Sequence, residues 1–159
     1  MEIKENYSGF QPFIDENSEI LILGSFPSVK SRQNNFYYGN SRNRFWKVLA
    51  SAFNEECPQT IEEKKMLCQR HKIALWDVFW QSDLKGSSDQ TLSKSNIVLS
   101  DLNGLIKRYP NIKKILCNGA LAYDTLTKNF NFNIEIKKLH STSPACVNFN
   151  LDEWITNLK

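Results

Sequence analysis

Short apolar runs that end in small or polar residues recur along the chain. Three of them cover residues 19–24, 73–77 and 113–119, whereas residues 134–137 alternate between apolar and charged side chains. Continuous runs of this length are typical of strands that are buried on both faces of a parallel sheet, and alternation is typical of a partly exposed edge strand. The pattern therefore predicts three inner strands and one edge strand.

Apolar residues at helical spacing fill the intervals between these runs. Four such stripes cover residues 45–53, 99–109, 123–130 and 151–158. A capping box at Thr60-Ile61-Glu62-Glu63 predicts the start of a further helix. Because strands and helices alternate, the pattern favours a layered α/β domain with right-handed crossovers.

Length and composition make a single domain over residues 1–159 the expectation, since 41% of the 159 residues are apolar. No uninterrupted apolar run exceeds four residues, whereas a membrane span needs about 20. A protein that does not enter the membrane is therefore expected. The charged start at residues 1–6 is not followed by an apolar segment, so no secretory signal is expected. A cytoplasmic location is the corresponding prediction.

The charged and sulfur-containing residues restrict the possible partners. Twenty Lys plus Arg against 17 Asp plus Glu give a net charge of +3, which tolerates a polyanionic partner without requiring one. The four cysteines form no Cys-x-x-Cys pair, so they are expected to be reduced thiols: Cys57, Cys68, Cys117 and Cys146. We expect no metal site and no cofactor, and a monomer is the default expectation.

Small and polar residues follow all four predicted strands. These positions are residues 24–28, Asp77, residues 118–119 and residues 140–144. Because ligands of open α/β sheets bind beyond the carboxyl ends of the strands, one shared site at this edge is predicted. Each segment taken singly could also be an ordinary turn, since Gly, Ser, Asn and Pro favour turns.

The segment 34–46 combines aromatic side chains with four Asn and two Arg within thirteen positions. Aromatic rings stack on bases, Arg binds phosphate, and Asn both donates and accepts hydrogen bonds. This combination indicates a nucleic-acid partner. At least one of Phe45 and Trp46 is expected in the core instead, because both begin a helical stripe.

Five motifs follow one another along the chain: Gly-Ser-Phe-Pro-Ser at 24–28, Tyr-Tyr-Gly-Asn-Ser-Arg-Asn-Arg-Phe-Trp at 37–46, Leu-Trp-Asp-Val at 75–78, Cys-Asn-Gly at 117–119 and Ser-Thr-Ser-Pro-Ala at 141–145. Together they resemble the motifs of the hypoxanthine-DNA glycosylase (DNA-deoxyinosine glycosylase) family of the uracil-DNA glycosylase superfamily. The resemblance implies a three-layer α/β/α domain with a central, mostly parallel four-stranded sheet. It also implies hydrolytic excision of a deaminated base from DNA, leaving an abasic site. Hypoxanthine is the first expectation, with xanthine and uracil as alternatives.

The resemblance assigns the catalytic role to Asn43, the amide of Asn-x-Phe-Trp. Many superfamily members carry a carboxylate or amide two residues after the first Gly, where this chain has Phe26. A neutral amide can orient water or hydrogen-bond the leaving base, but it cannot act as a general base. Asn40 is the second candidate amide, although it is also a natural turn residue beside Gly39.

The base pocket is expected to contain Tyr38 as an aromatic platform for the flipped base. Asn118 could read the edge of the base or form a turn, since an amide matches both a donor and an acceptor. The lining of the pocket completes the prediction: Gly24, Ser25, Phe26 and Asn40.

Contacts to the DNA backbone, and the wedge that fills the gap in the duplex, are expected from two regions. One is the pair Ser28 and Arg42, beside which Arg44 is also expected to contact phosphate or solvent. The other resembles the superfamily loop that pinches the phosphates: Ser141, Thr142, Ser143 and Ala145. His140 replaces an expected Pro, and either contacts phosphate or is solvated.

Two other functions remain open. Ser25, Asp77 and His140 could form a hydrolase triad at the same edge, although Ser25 lacks the Gly-x-Ser-x-Gly elbow. A lesion-binding protein without catalysis is the other alternative, because Phe26 stands at the usual catalytic position. A triad predicts esterase activity that Ser25→Ala abolishes, and a pure binder predicts that no abasic product forms.

Overall fold

The computed structural model describes residues 7–26, 31, 33, 35–82 and 98–159. In chain order, the strands are β1 (Tyr7–Ser8), β2 (Ile20–Gly24), β3 (Ile73–Asp77), β4 (Phe79–Ser82), β5 (Val98–Leu99), β6 (Lys114–Asn118) and β7 (Glu135–Leu139). The helices are α1 (Phe45–Ala52), α2 (Ile61–Arg70), α3 (Leu102–Arg108), α4 (Ala120–Asn129) and α5 (Leu151–Leu158).

The central sheet has the strand order β3-β2-β6-β7, and all neighbouring strands in it are parallel. Every residue of β2 and β3 is buried, whereas β7 exposes Glu135, Lys137 and Lys138 at the edge. The predicted edge strand β7 and the inner strands β2 and β6 are therefore confirmed. The prediction of a third inner strand at 73–77 is wrong, because β3 forms the other edge of the sheet; it is buried like an inner strand, since Phe13 bridges its outer side at Leu75. The strand that follows β2 in the chain, β3, pairs with one side of it, and β6 pairs with the other side. The connections therefore run in opposite directions from β2, which makes its carboxyl end a topological switch point.

Helices cover both faces of this sheet, as the predicted three-layer α/β/α fold requires. The connection from β2 to β3 carries α1 and α2, and the connections on the other side of β2 carry α3 and α4. Since right-handed crossovers in opposite directions place their helices on opposite faces, the sheet lies between two helical layers. Helix α5 packs on α1 through the fully buried rings of Phe45 and Trp154, whose centroids are 6.3 Å apart.

The start of α2 agrees with the predicted capping box. The Thr60 hydroxyl accepts a hydrogen bond from the Glu63 N–H (3.1 Å), and the Glu63 carboxylate accepts one from the Thr60 N–H (3.0 Å). None of the helices in the described ranges has the length and apolar character that crossing a bilayer requires.

A second sheet, with the antiparallel order β1-β4-β5, was not predicted. Leu99 lies in β5, which corrects the prediction that it belongs to a helical stripe over 99–109. The helix begins only at Leu102, because the Asp101 carboxylate caps it by accepting from the Gly104 N–H at 3.0 Å. Residues 83–97, most of a long polar segment of the chain, lie outside the described residues.

Candidate active site

The ends of β2 and β3 meet at the carboxyl edge of the central sheet, where Gly24 pairs with Asp77. A Cβ atom at Gly24 would lie 2.6 Å from the Asp77 Oδ1 and 3.1 Å from the Tyr38 hydroxyl oxygen. Real Cβ contacts are not as short as 2.6 Å, so a larger residue at position 24 would displace the Asp77 carboxylate or the Tyr38 hydroxyl. Two residues predicted at this edge, Gly24 and Asp77, therefore lie in close contact with Tyr38, as the prediction of one shared site requires.

The ring of Tyr38 stacks on Phe45, with a centroid separation of 3.9 Å and an interplanar angle of 15°. Tyr38 has a φ of +52°, in the left-handed region that a tyrosine rarely adopts. Burial, and then the charge of Asp77, raise the pKa of the Tyr38 phenol, so the ring stays neutral. Phe45 covers one face of the ring, and the residue remains partly exposed, as the predicted platform for a base requires.

The amide of Asn43 is fixed by two donors. Its Oδ1 accepts hydrogen bonds from the Phe45 N–H at 2.9 Å and from the Thr142 hydroxyl at 2.7 Å. An N–H can only donate, so the oxygen and nitrogen of this amide are assigned without ambiguity. No described residue accepts a hydrogen bond from Asn43 Nδ2. The arrangement therefore presents Asn43 as a hydrogen-bond donor.

Asn40 shapes the turn that leads to Asn43. Its Oδ1 accepts a hydrogen bond from the Arg42 N–H at 3.0 Å, and its carbonyl accepts one from the Asn43 N–H at 2.9 Å. This is an Asx turn, the alternative foreseen for a residue beside Gly39. Neither NH2 group has an acceptor within the described residues, but the oxygen of Asn43 is held by two donors, one of them from the segment after β7, whereas the oxygen of Asn40 accepts only within its own turn.

Thr142 connects Asn43 with Asn118. The Thr142 N–H donates to Asn118 Oδ1 at 2.9 Å, and Asn118 Nδ2 donates to the Thr142 hydroxyl at 3.0 Å. The prediction placed Thr142 at the DNA backbone. The structure corrects this, because Thr142 is fully buried and its polar atoms contact the two amides. The contact with Thr142 uses one of the two N–H groups of Asn118, whose contact with a base edge stays a prediction.

Arg44 holds the segment after β7 against the segment before α1. Its N–H donates to the Thr142 carbonyl at 3.0 Å, and its guanidinium donates to the carbonyls of Ser143 and Cys146 at 3.1 and 3.3 Å. The guanidinium also lies 4.7 Å from the Phe149 ring centroid. Its expected contact with phosphate or solvent is replaced by these internal contacts. The two carbonyls that the guanidinium binds lie 99 and 102 residues away in sequence, so no local signal identifies them.

The segment from Gly24 to Phe26 is fixed mainly through its backbone. The carbonyls of Gly24 and Ser25 accept hydrogen bonds from the N–H groups of Val78 and Phe79, at 2.8 and 2.9 Å. Phe26 is buried and offers no polar atom for catalysis, as expected from the sequence. Ser28, the predicted phosphate contact of this segment, lies outside the described residues.

His140 is bound to helix α5. Its Nδ1 and its N–H both lie 3.0 Å from the Glu153 Oε2, and its carbonyl accepts a hydrogen bond from the Trp154 indole at 2.8 Å. In a catalytic triad a carboxylate holds this same ring nitrogen. Since Glu153 occupies it, the alternative triad of Ser25, Asp77 and His140 does not form.

The segment that follows His140 makes a series of short turns that leave its tip exposed. The Ser141 hydroxyl accepts from the Ser143 N–H at 3.1 Å, and the Ser143 hydroxyl accepts from the Ala145 N–H at 3.2 Å. Beyond Ala145, Val147 is 92% exposed, although it is apolar. No sequence motif marks Val147, which lies two residues beyond the last of the five motifs and among other apolar residues.

Metal-binding chemistry has no support within the described ranges, where no three His, Cys, Asp or Glu side chains form a group that could hold an ion. The four cysteines are free, and burial raises the pKa of the Cys117 thiol to about 12.

Comparisons with known proteins agree with this geometry. A family model described as the uracil DNA glycosylase superfamily matches residues 11–157. Two curated relatives, both named hypoxanthine DNA glycosylase, are 38% identical: one from Methanosarcina acetivorans over 92% of this chain and 94% of its own, and one from Methanosarcina barkeri over 86% of each. A solution NMR structure of a candidate uracil DNA glycosylase from M. acetivorans has a TM-score of 0.81, with 34% identity and 97% coverage of both chains. The chain belongs to the uracil DNA glycosylase superfamily, as the sequence motifs indicated.

Proposed function

We propose that this protein removes a deaminated base from DNA by hydrolysing its N-glycosidic bond, and that hypoxanthine is the preferred base. The observation that carries the proposal is Asn43, whose oxygen is held by two donors while its NH2 group is left to face a substrate. The names of the two curated relatives favour hypoxanthine over xanthine and uracil. We propose that the enzyme acts as a cytoplasmic monomer of one domain, without metal or cofactor.

The first step is the extrusion of the base from the duplex. Unstacking and unpairing cost a few kcal/mol, and least for a mispaired base. Stacking on an aromatic ring returns about 1 to 3 kcal/mol per base. The free face of Tyr38 is suited to this stacking, because Phe45 supports the ring from behind and the phenol stays neutral.

The chemical step breaks the bond between the sugar C1′ and the base nitrogen. The bonding electron pair leaves with the base, and the sugar becomes an oxocarbenium-like cation that a water molecule captures at C1′. The water loses its proton to the departing base or to solvent. Asn43 Nδ2 donates a hydrogen bond to the base as negative charge develops on it, which is the type of interaction that most strongly lowers such barriers. Phe26 supplies no carboxylate, so leaving-group stabilisation replaces general-base assistance.

Contacts outside the pocket hold the DNA. Arg42 is exposed next to the turn at Asn40 and is proposed as a phosphate contact. Ser28, Ser141 and Ser143 remain proposed backbone contacts. The exposed apolar residues after them, Ala145 and above all Val147, are proposed to occupy the gap that the flipped base leaves.

The test is single-turnover incubation with oligonucleotides that carry one deoxyinosine, deoxyuridine or deoxyxanthosine, in single and double strands, followed by alkaline cleavage at abasic sites. We expect cleavage of the deoxyinosine strand that disappears in Asn43→Ala and persists in Asn103→Ala, a control at an exposed position of α3. Lesion binding without any abasic product contradicts the proposal and indicates a binding protein. If a handful of phosphate contacts hold the DNA, the logarithm of the DNA-binding constant should fall with the logarithm of the salt concentration, at a slope of about −0.9 per contact.

A further inference from the structure

We infer that Thr142 is a positioning residue, which orients the amide of Asn43 so that its NH2 group faces the substrate. The inference rests on the proposed function, because it gives Asn43 the role of hydrogen-bond donor. Thr142 was expected to contact DNA, and neither the family match nor the relatives assign it a role in the chemistry.

The backbone N–H of Thr142 can only donate, and this fixes the direction of the hydrogen bonds that join Asn118, Thr142 and Asn43. The backbone N–H of Thr142 donates to Asn118, which fixes the oxygen of that amide and therefore also its nitrogen. Asn118 Nδ2 then donates to the Thr142 hydroxyl. The hydroxyl has a single proton, and the remaining oxygen within reach is Asn43 Oδ1 at 2.7 Å. Asn43 is thus held with its oxygen towards Thr142 and its nitrogen away.

Burial makes this orientation effective. Thr142 has no exposed surface, so water does not compete for its hydroxyl. In a low-dielectric environment a satisfied network is rigid, and an unpaired group in it is costly. A flipped Asn43 would place its NH2 group against the Phe45 N–H, which leaves two donors facing each other. The Thr142 hydroxyl and the Phe45 N–H therefore favour the same orientation of the Asn43 amide.

The loop does not depend on the Thr142 hydroxyl for its position. The Thr142 N–H still binds Asn118, and its carbonyl still accepts from the Arg44 N–H at 3.0 Å, when only the side-chain oxygen is removed. Thr142→Val makes this change with little change in volume. Thr142→Ser restores the oxygen while removing the methyl group. Comparison of the Val and Ser variants therefore separates the effect of losing the hydrogen bond from the effect of changing the packing.

Single-turnover rates on deoxyinosine duplex test the inference. We expect Thr142→Val to slow base removal about 10- to 100-fold, the range that follows from misplacing a catalytic group by a fraction of an ångström to an ångström. Affinity for the lesion duplex should change by less than about threefold, since no contact to DNA is lost. Thr142→Ser should return to within about threefold of wild type. Thr127→Val, at an exposed hydroxyl that bonds within α4, is the matched control and should be unchanged.

Two further measurements distinguish positioning from a structural role. In an Asn43→Ala background, Thr142→Val should cause no additional loss, because the group that it orients is absent. In nitrogen-15 NMR spectra, the side-chain NH2 signals of Asn43 should shift and broaden in Thr142→Val and recover in Thr142→Ser. Wild-type rates in Thr142→Val, or equal losses in the Val and Ser variants, overturn the inference. If the wild type removes no base, the proposed function fails, and unchanged Asn43 signals in Thr142→Val would then overturn the positioning as well.

Discussion

Replacing Asn43 by Asp separates the two roles that a neutral amide could have in this site. The oxygen of Asn43 accepts hydrogen bonds from the Phe45 N–H and the Thr142 hydroxyl, and a carboxylate oxygen can accept both. The substitution therefore removes only the NH2 donor, and it adds a negative charge beside a base that leaves as an anion. We expect Asn43→Asp to fold normally and to be at least as inactive as Asn43→Ala.

The magnitudes follow from the contacts. Loss of one preorganised donor to a developing anion lowers the rate about 10²- to 10³-fold, or about 2.7 to 4 kcal/mol. Repulsion between the new carboxylate and the departing base, at about 4 Å and an effective dielectric constant of about 20, adds up to about 4 kcal/mol. Asn43→Ala also leaves the buried Thr142 hydroxyl without its acceptor, which costs about 1 to 3 kcal/mol of stability. Asn43→Asp keeps that acceptor and should lose less than about 1 kcal/mol.

The assay compares single-turnover rate constants of the wild type, Asn43→Ala and Asn43→Asp on deoxyinosine duplex, together with urea unfolding midpoints. The expected pattern is two inactive variants, of which only Asn43→Ala is clearly destabilised. An Asn43→Asp variant that matches or exceeds the wild-type rate refutes the donor role, because only an acceptor that orients water survives this change. A wild-type rate in Asn43→Ala would remove Asn43 from the mechanism altogether.

Three other predictions use different parts of the molecule. Gly24→Ala should lower the free energy of unfolding by about 1 to 3 kcal/mol, because the new Cβ would lie 2.6 Å from the Asp77 Oδ1 and 3.1 Å from the Tyr38 hydroxyl. Each kcal/mol should lower the thermal unfolding midpoint by about 2 to 4 °C, so a midpoint within about 1 °C of wild type contradicts the prediction. Val147→Ser should slow base removal from duplex DNA several-fold but leave single-stranded substrate and stability unaffected, because this exposed side chain can fill a gap only in a duplex. Glu19 has a lowered pKa because two lysines bind it, so its contribution to stability is present above pH 4.5 and is lost as pH falls through the lower folded-state pKa. Urea midpoints of Glu19→Gln and wild type should therefore differ at pH 7 and approach each other as pH falls below 4.5, and a gap of constant size over this range counts against the ion pairs.

The strands of the central sheet were predictable because burial on both faces leaves short continuous apolar runs that end in small or polar residues. The small antiparallel sheet was not, since β1 and β5 contain two residues each, which is too few for a pattern. Leu99 illustrates the difficulty: it lies three residues before Leu102 and so matches helical spacing. Only the cap at Asp101 shows that the helix begins later.

The location of the site was predictable, because the carboxyl ends of parallel strands meet at one edge whatever the side chains do. The inward roles of Thr142 and Arg44 were not. Threonine and arginine are common phosphate ligands, and the partners of both lie about a hundred positions away along the chain. Burial decided against the phosphate role for Thr142, and burial of a loop residue depends on tertiary packing that local sequence does not encode.

A site whose proposed catalyst is an amide must control orientation where other members of the superfamily can use charge. A carboxylate remains an acceptor however it rotates, whereas an amide that turns by 180° exchanges its donor for its acceptor. This is the physical reason for surrounding Asn43 with fixed groups: the Phe45 N–H belongs to the first turn of α1, and the Thr142 hydroxyl takes its direction from Asn118. Arg44 holds the two segments together through backbone atoms. Substitutions among these neighbours should therefore affect the rate of base removal more strongly than the affinity for DNA.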